Sequence, residues 1–181
     1  MRNPFRSLIT LVAAAVALAF MPASLAAQDA TPAASDTIAV IDLAAGVTAE
    51  IFIGAPTALA PGQMLYTGRF VFQPGSELFA HSHPGTTSIG VESGTLGWTL
   101  LEGTVYVVRG AASGAPAETE VVTEPGTEVT LNPGDALYYE DDVVHTARGA
   151  GDEPAVILGS LLLESDQPLL TPSDEHATPA A

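Results

Sequence analysis

A chain of 181 residues carries 21 acidic side chains against 5 basic ones, all arginine, for a formal net charge of −16. Such a surface repels phosphate backbones and anionic headgroups, which excludes nucleic acid as a partner and favours cations or neutral small molecules. With no cysteine, a disulfide framework, thiolate ligands and a lipid anchor on cysteine are excluded as well.

Residues 1–26 read as a secretory signal peptide. Arg2 and Arg6 form the positive start, Leu8 to Phe20 is apolar apart from Thr10, and Ser24-Leu25-Ala26 places small residues for cleavage before Ala27. The apolar run falls short of the ~20 residues that cross a bilayer, and Pro22 breaks its extension. No stable membrane anchor is therefore expected after cleavage, and the expected location is secreted or periplasmic. Residues 27–37, AQDATPAASDT, have the composition of a disordered linker.

From 38 to 166 the pattern is all-β. Candidate strands are 38–42, 47–53, 64–73, 86–92, 96–101, 104–109, 118–123, 128–131, 135–139, 144–148 and 155–163. They are short, rich in Val, Thr, Ile and Tyr, and divided by Gly and Pro, as in a sandwich or barrel. Glu102-Gly103 reads as a hairpin turn, and 110–116 (GAASGAP) as a flexible loop. With no helical periodicity and no internal repeat, there is room for one barrel. Residues 167–181 resemble the linker in composition and are expected to be a disordered tail; His176 lies there with no second ligand at useful spacing.

Three histidines stand apart from that background. His81 and His83 are two apart, and on a strand residues i and i+2 share a face, so both imidazoles can converge on one point. Pro84-Gly85 then marks a turn, while His145 ends a later strand-like run that follows Asn132-Pro133-Gly134-Asp135. Three imidazoles suit a divalent transition metal: Fe, Mn, Zn, Ni or Cu. Other pocket candidates follow from alternation along 64–73, where Arg69 shares one face with Val71 and Gln73, opposite Phe70 and Phe72. Arg69 could meet a carboxylate ligand or pair with a surface acid. Trp98, Tyr106, Tyr138 and Tyr139 could line a cavity or pack the core.

The stretch 75–94 resembles the first motif of the cupin family, with Gly75, His81, His83 and Gly94 in register and Thr87 where the family has a glutamate ligand. Gly134 and His145 match the second motif, in which Glu140, Asp142 and Gly149 replace the family's Pro, Gly and Asn. The resemblance covers about 63–163 and implies a single-domain double-stranded β-helix, the cupin or jelly-roll barrel. It also implies a metal site from His81, His83 and His145, with Thr87, Arg69 and Tyr139 as candidate lining residues, and a homodimer. With Thr87 for glutamate, the metal's first shell loses a negative charge, which argues against mechanisms that use that carboxylate as a base. Cupins host many activities, so the resemblance speaks to the fold more than to the reaction. Two expectations follow: a metal-dependent small-molecule enzyme of dioxygenase or isomerase type, or a non-catalytic module that holds a small ligand or sugar beside a degenerate or empty metal site.

Overall fold

The computed structural model describes residues 39–110, 118–141 and 143–173. The leader and linker, the 111–117 loop, Asp142 and His176 lie outside the described residues. The described residues form thirteen strands and no helix. They are β1 (Ala39–Ala44), β2 (Val47–Pro56), β3 (Gln63–Phe72), β4 (Glu77–Ser82), β5 (Gly85–Ser93), β6 (Leu96–Glu102) and β7 (Val105–Arg109). After these come β8 (Glu118–Val122), β9 (Glu128–Leu131), β10 (Ala136–Tyr139), β11 (Val144–Gly149), β12 (Ala155–Glu164) and β13 (Thr171–Pro172).

Two antiparallel sheets face each other. One has the order β1-β2-β3-β12-β5-β10-β7-β8, the other β13-β4-β11-β6-β9. Strands distant in sequence lie side by side: β12 is inserted between β3 and β5, and β11 between β4 and β6. This interleaving is the double-stranded β-helix, and it sets the segment of His145 beside that of His81.

Alternation decides what fills the barrel. Along β12, Ala155, Ile157, Gly159, Leu161 and Leu163 turn inward while Leu158 is half exposed. Ala155 and Ile157 join Val47, Phe72, Leu96, Trp98, Leu100, Val105, Val107, Leu131 and Leu137 in one core cluster, and Leu161 and Leu163 are buried beside them in sequence. Each such side chain contributes about 1.5–3 kcal/mol by leaving water. Two glycines are dictated by close approach. Gly94 has φ +71°, and a Cβ there would run into the Pro154 carbonyl. At Gly149, where the family motif has Asn, a Cβ would collide with the Gln73 carbonyl.

Two differences from the sequence reading matter. The segment Glu77–Ser82 is a full strand, absent from the candidate strands although it carries His81. The barrel also runs past 166. Thr171 and Pro172 pair with Ser82 and His81, Ser173 N–H donates to the Ala80 carbonyl at 2.8 Å, and Leu170 packs against the core. Residues 167–173, expected as the start of a disordered tail, are thus an edge strand and its approach. Composition sees polar and small residues but not backbone donors met from outside the segment.

Candidate metal centre

The centre begins with a break in alternation. Leu78 and His81 both face inward although they are an odd number of residues apart. The pairing explains it: His81 lies opposite His145 and Leu78 opposite Ala147, so β4 spends one residue more than β11 between the two pairs. That bulge at Phe79–Ala80 turns His81 and His83 into the barrel, where unbroken alternation from Leu78 would have turned them out. A second irregularity in the same sheet lies beside His145, whose partner is Leu100 while Val144 pairs with Glu102.

The three histidines converge as the sequence spacing anticipates. His81, His83 and His145 are 1%, 8% and 3% exposed, and each offers a ligand nitrogen within 4.8 Å of the other two. Their ring centroids are 4.2 Å apart for His81–His145, 5.0 Å for His81–His83 and 5.6 Å for His83–His145. Two of them are held by main-chain carbonyls: Nδ1–H of His81 donates to Phe79 O, and Nδ1–H of His83 to Leu169 O, each at 2.7 Å. These bonds leave the Nε2 lone pairs free, the arrangement in which a histidine binds a metal. His145 stacks on Trp98 (4.7 Å, 20°), its Nε2 is 3.2 Å from the Tyr139 hydroxyl, and its buried Nδ1 has no hydrogen-bond partner of good geometry.

Burial keeps all three imidazoles neutral. It pushes His81 down to about 4, with the neighbouring His83 adding to the effect and the Phe79 carbonyl opposing it. His83 is lowered by burial against the pull of Leu169 O, and His145 is lowered further by burial and by both other histidines. Neutral imidazole is the ligating form, so at neutral pH no proton need leave before a cation binds. Three converging neutral nitrogens fit a borderline divalent metal.

The histidines line a small cavity of about 50 Å³, enough for an ion and a few waters. Phe70, Phe72, Ile89, Trp98, Ile157 and Leu161 form much of its wall. Among the described residues, Thr87 and Tyr139 are the hydroxyl-bearing ones there, and none of the lining residues is a carboxylate. They are cross-strand partners, and Thr87 Oγ1 is buried without a hydrogen bond of good geometry. Burial raises the Tyr139 phenol well above its usual range, with Thr87 pulling the other way. The phenol therefore stays protonated.

Of the sequence candidates, then, Thr87, Tyr139 and Trp98 stand with the histidines. Arg69 does not: it lies on the outer face, bonded to Glu92 at 3.1 Å and 3.7 Å from Glu50, the pairing with surface acids that was its alternative fate. Tyr106 and Tyr138 pack together outside, where the Tyr138 hydroxyl donates to Glu140. Asp135 holds its turn by accepting from the Asn132 and Gly110 amides and from Arg109. The carbonyls of Phe79 and Leu169 escape a sequence reading because every residue has one and only the fold aims it.

No family model and no curated protein matches the chain. Similar solved structures include a cupin 2 domain-containing protein from Halorhodospira halophila, at 17% identity and TM-score 0.47 over 74% of each chain. KdgF from Halomonas sp. is similar at 18% identity and TM-score 0.44, covering 71% of this chain and 89% of that one. A structure of DMSP lyases is similar at 17% identity and TM-score 0.47, over 71% of this chain and only 53% of the other. By its own strand order and inward histidine triad, the chain is a double-stranded β-helix in which three buried histidines converge.

Proposed function

We propose that this protein is an exported cupin-type metalloprotein in which His81, His83 and His145 hold one divalent transition metal (Fe, Mn, Zn, Ni or Cu) and act on a small, largely apolar molecule. The observation that carries the reading is the donor set: three buried neutral imidazoles within 4.8 Å of one another, on an apolar cavity. A bound metal would supply a Lewis acid or a site for dioxygen. Three neutral ligands leave a divalent ion's charge uncompensated, which favours an anionic fourth partner such as hydroxide or an anionic substrate group. The protein's own residues would exclude water through Phe70, Phe72 and Trp98 and donate hydrogen bonds through Thr87 and the protonated Tyr139. With no carboxylate among the described residues of the wall, reactions that rely on one as general base are disfavoured, and dioxygenase- or isomerase-type chemistry is favoured.

The same lack of a base supports a second reading, a non-catalytic module that holds a small apolar ligand. A sugar is a poor fit to either, because the small apolar wall could not satisfy its hydroxyls. The test is elemental analysis of the chain from Ala27 onward, purified without added metal or chelator, beside His81→Ala/His83→Ala. Near-stoichiometric metal that is lost in the variant is expected. Absence of metal in both, even after reconstitution, would overturn the metalloprotein reading.

A further inference from the structure

We infer that the C-terminal strap, residues 168–173, is a working part of the metal centre, with Leu169 as a positioning residue that acts on His83 through its main-chain carbonyl. The inference rests on the metal reading above for its consequence but not for its geometry. Leu169 is 86 positions from His83 in sequence, yet its carbonyl accepts the Nδ1–H of that ring at 2.7 Å. Among the three histidines, His81 takes its carbonyl partner from its own strand, at Phe79, two residues away. His83 lies one residue beyond the end of β4 and takes its hydrogen-bond partner from residue 169, so its Nδ1–H is held while that segment is seated.

Among the described residues, the seat is built as follows. Thr171 and Pro172 pair with Ser82 and His81, the Ser173 amide bonds the Ala80 carbonyl, and Leu170 anchors the strap on the core. β13 has two residues and lies at the edge of its sheet, so it can leave without breaking any other strand pair. Pro172 has no N–H to give the ladder. The strap therefore opens at lower cost than the barrel unfolds. While seated it holds Nδ1 of His83 protonated, so that Nε2 keeps its lone pair for the cation. When it lifts, His83 loses its tautomer and its ring orientation together, and β4 becomes an exposed edge. Metal retention is thereby coupled to the docking of a segment near the C-terminus.

Two shortened chains test this, one ending at Ser173 and one at Gln167. Zinc affinity is read by competition with a chromophoric chelator, and the His83 tautomer by nitrogen-15 NMR of the zinc-free protein. The chain ending at Ser173 should match the full chain. The chain ending at Gln167 should bind zinc about 10–100-fold more weakly and lose the fixed Nδ1–H signal of His83 while that of His81 persists. A synthetic peptide of residues 168–181 should restore both. Should that chain fail to fold, Leu170→Asp, which unseats the anchor within the intact sequence, should give the same two losses. Equal zinc affinity and an unchanged His83 tautomer in a folded chain lacking the strap would overturn the proposal. If even the full chain bound no zinc, the elemental analysis above would decide the metal reading, and the tautomer alone would still decide whether the strap positions His83.

Discussion

Acidifying the metal-free protein should expose the cost of burying three histidines, and the magnitude follows from His81. Its folded pKa of about 4 lies below the ordinary value of 6.5. Above 6.5 neither the folded nor the unfolded chain protonates this ring, and its contribution to stability is fully present. As pH falls below 6.5 the unfolded chain takes up a proton that the folded chain refuses, so stability drops until pH passes the folded pKa. At about 1.4 kcal/mol per unit, the 2.5 units between 6.5 and 4 amount to about 3 kcal/mol from His81 alone. His83 and His145 are shifted in the same direction and deepen the loss. That is a large part of the ~5–15 kcal/mol of a typical domain. Two other effects are separable. Glu128, held down by its Arg148 hydrogen bond, and Asp135, where bonds from Gly110, Asn132 and Arg109 outweigh burial, lose their contributions only as pH falls below 4.5 and 3.8. The net charge of −16 acts with the opposite sign, since neutralising carboxylates relieves self-repulsion. Urea unfolding in chelator at fixed salt, from about pH 7 to about pH 4, should therefore compare the protein with His81→Leu. The difference in slope isolates the ring. A stability profile equally flat for both proteins over that range would refute the buried, neutral triad.

Three further outcomes follow from the same geometry. Thr87→Val should raise stability by about 1 kcal/mol in thermal unfolding, because it removes a buried hydroxyl without a well-formed hydrogen bond; a loss of that size would instead reveal a strong Thr87–Tyr139 bond. Deletion of Ala80 should remove the β4 bulge and still leave stoichiometric zinc binding in a titration, since Leu78 and His81, then two residues apart, both face inward by plain alternation; loss of binding would show that the bulge itself shapes the site. Arg69→Ala should leave zinc binding unchanged and alter stability by no more than ~1 kcal/mol, because its ion pairs are surface-exposed; weaker zinc binding would place Arg69 back in the site.

The sequence by itself determined the class of architecture and most of the centre. Short β-branched segments divided by Gly and Pro leave little besides an all-β barrel, and the His81–His83 spacing with His145 downstream points to the three histidines that converge. Thr87 at the missing carboxylate's position is likewise legible, because a motif places a residue even when it changes its chemistry. Strand alternation put Arg69 opposite Phe70 and Phe72 but could not say which face was inside, a choice made when β3 packs between β2 and β12. The tertiary structure alone decided the rest. The inward turn of His81 depends on a register slip against β11, a relation between two strands that neither sequence carries. The hold on His83 depends on Leu169, whose contribution is a carbonyl that every residue has. Side-chain patterns record what a segment buries; which backbone groups it meets, and in what register, is settled only when distant segments pair.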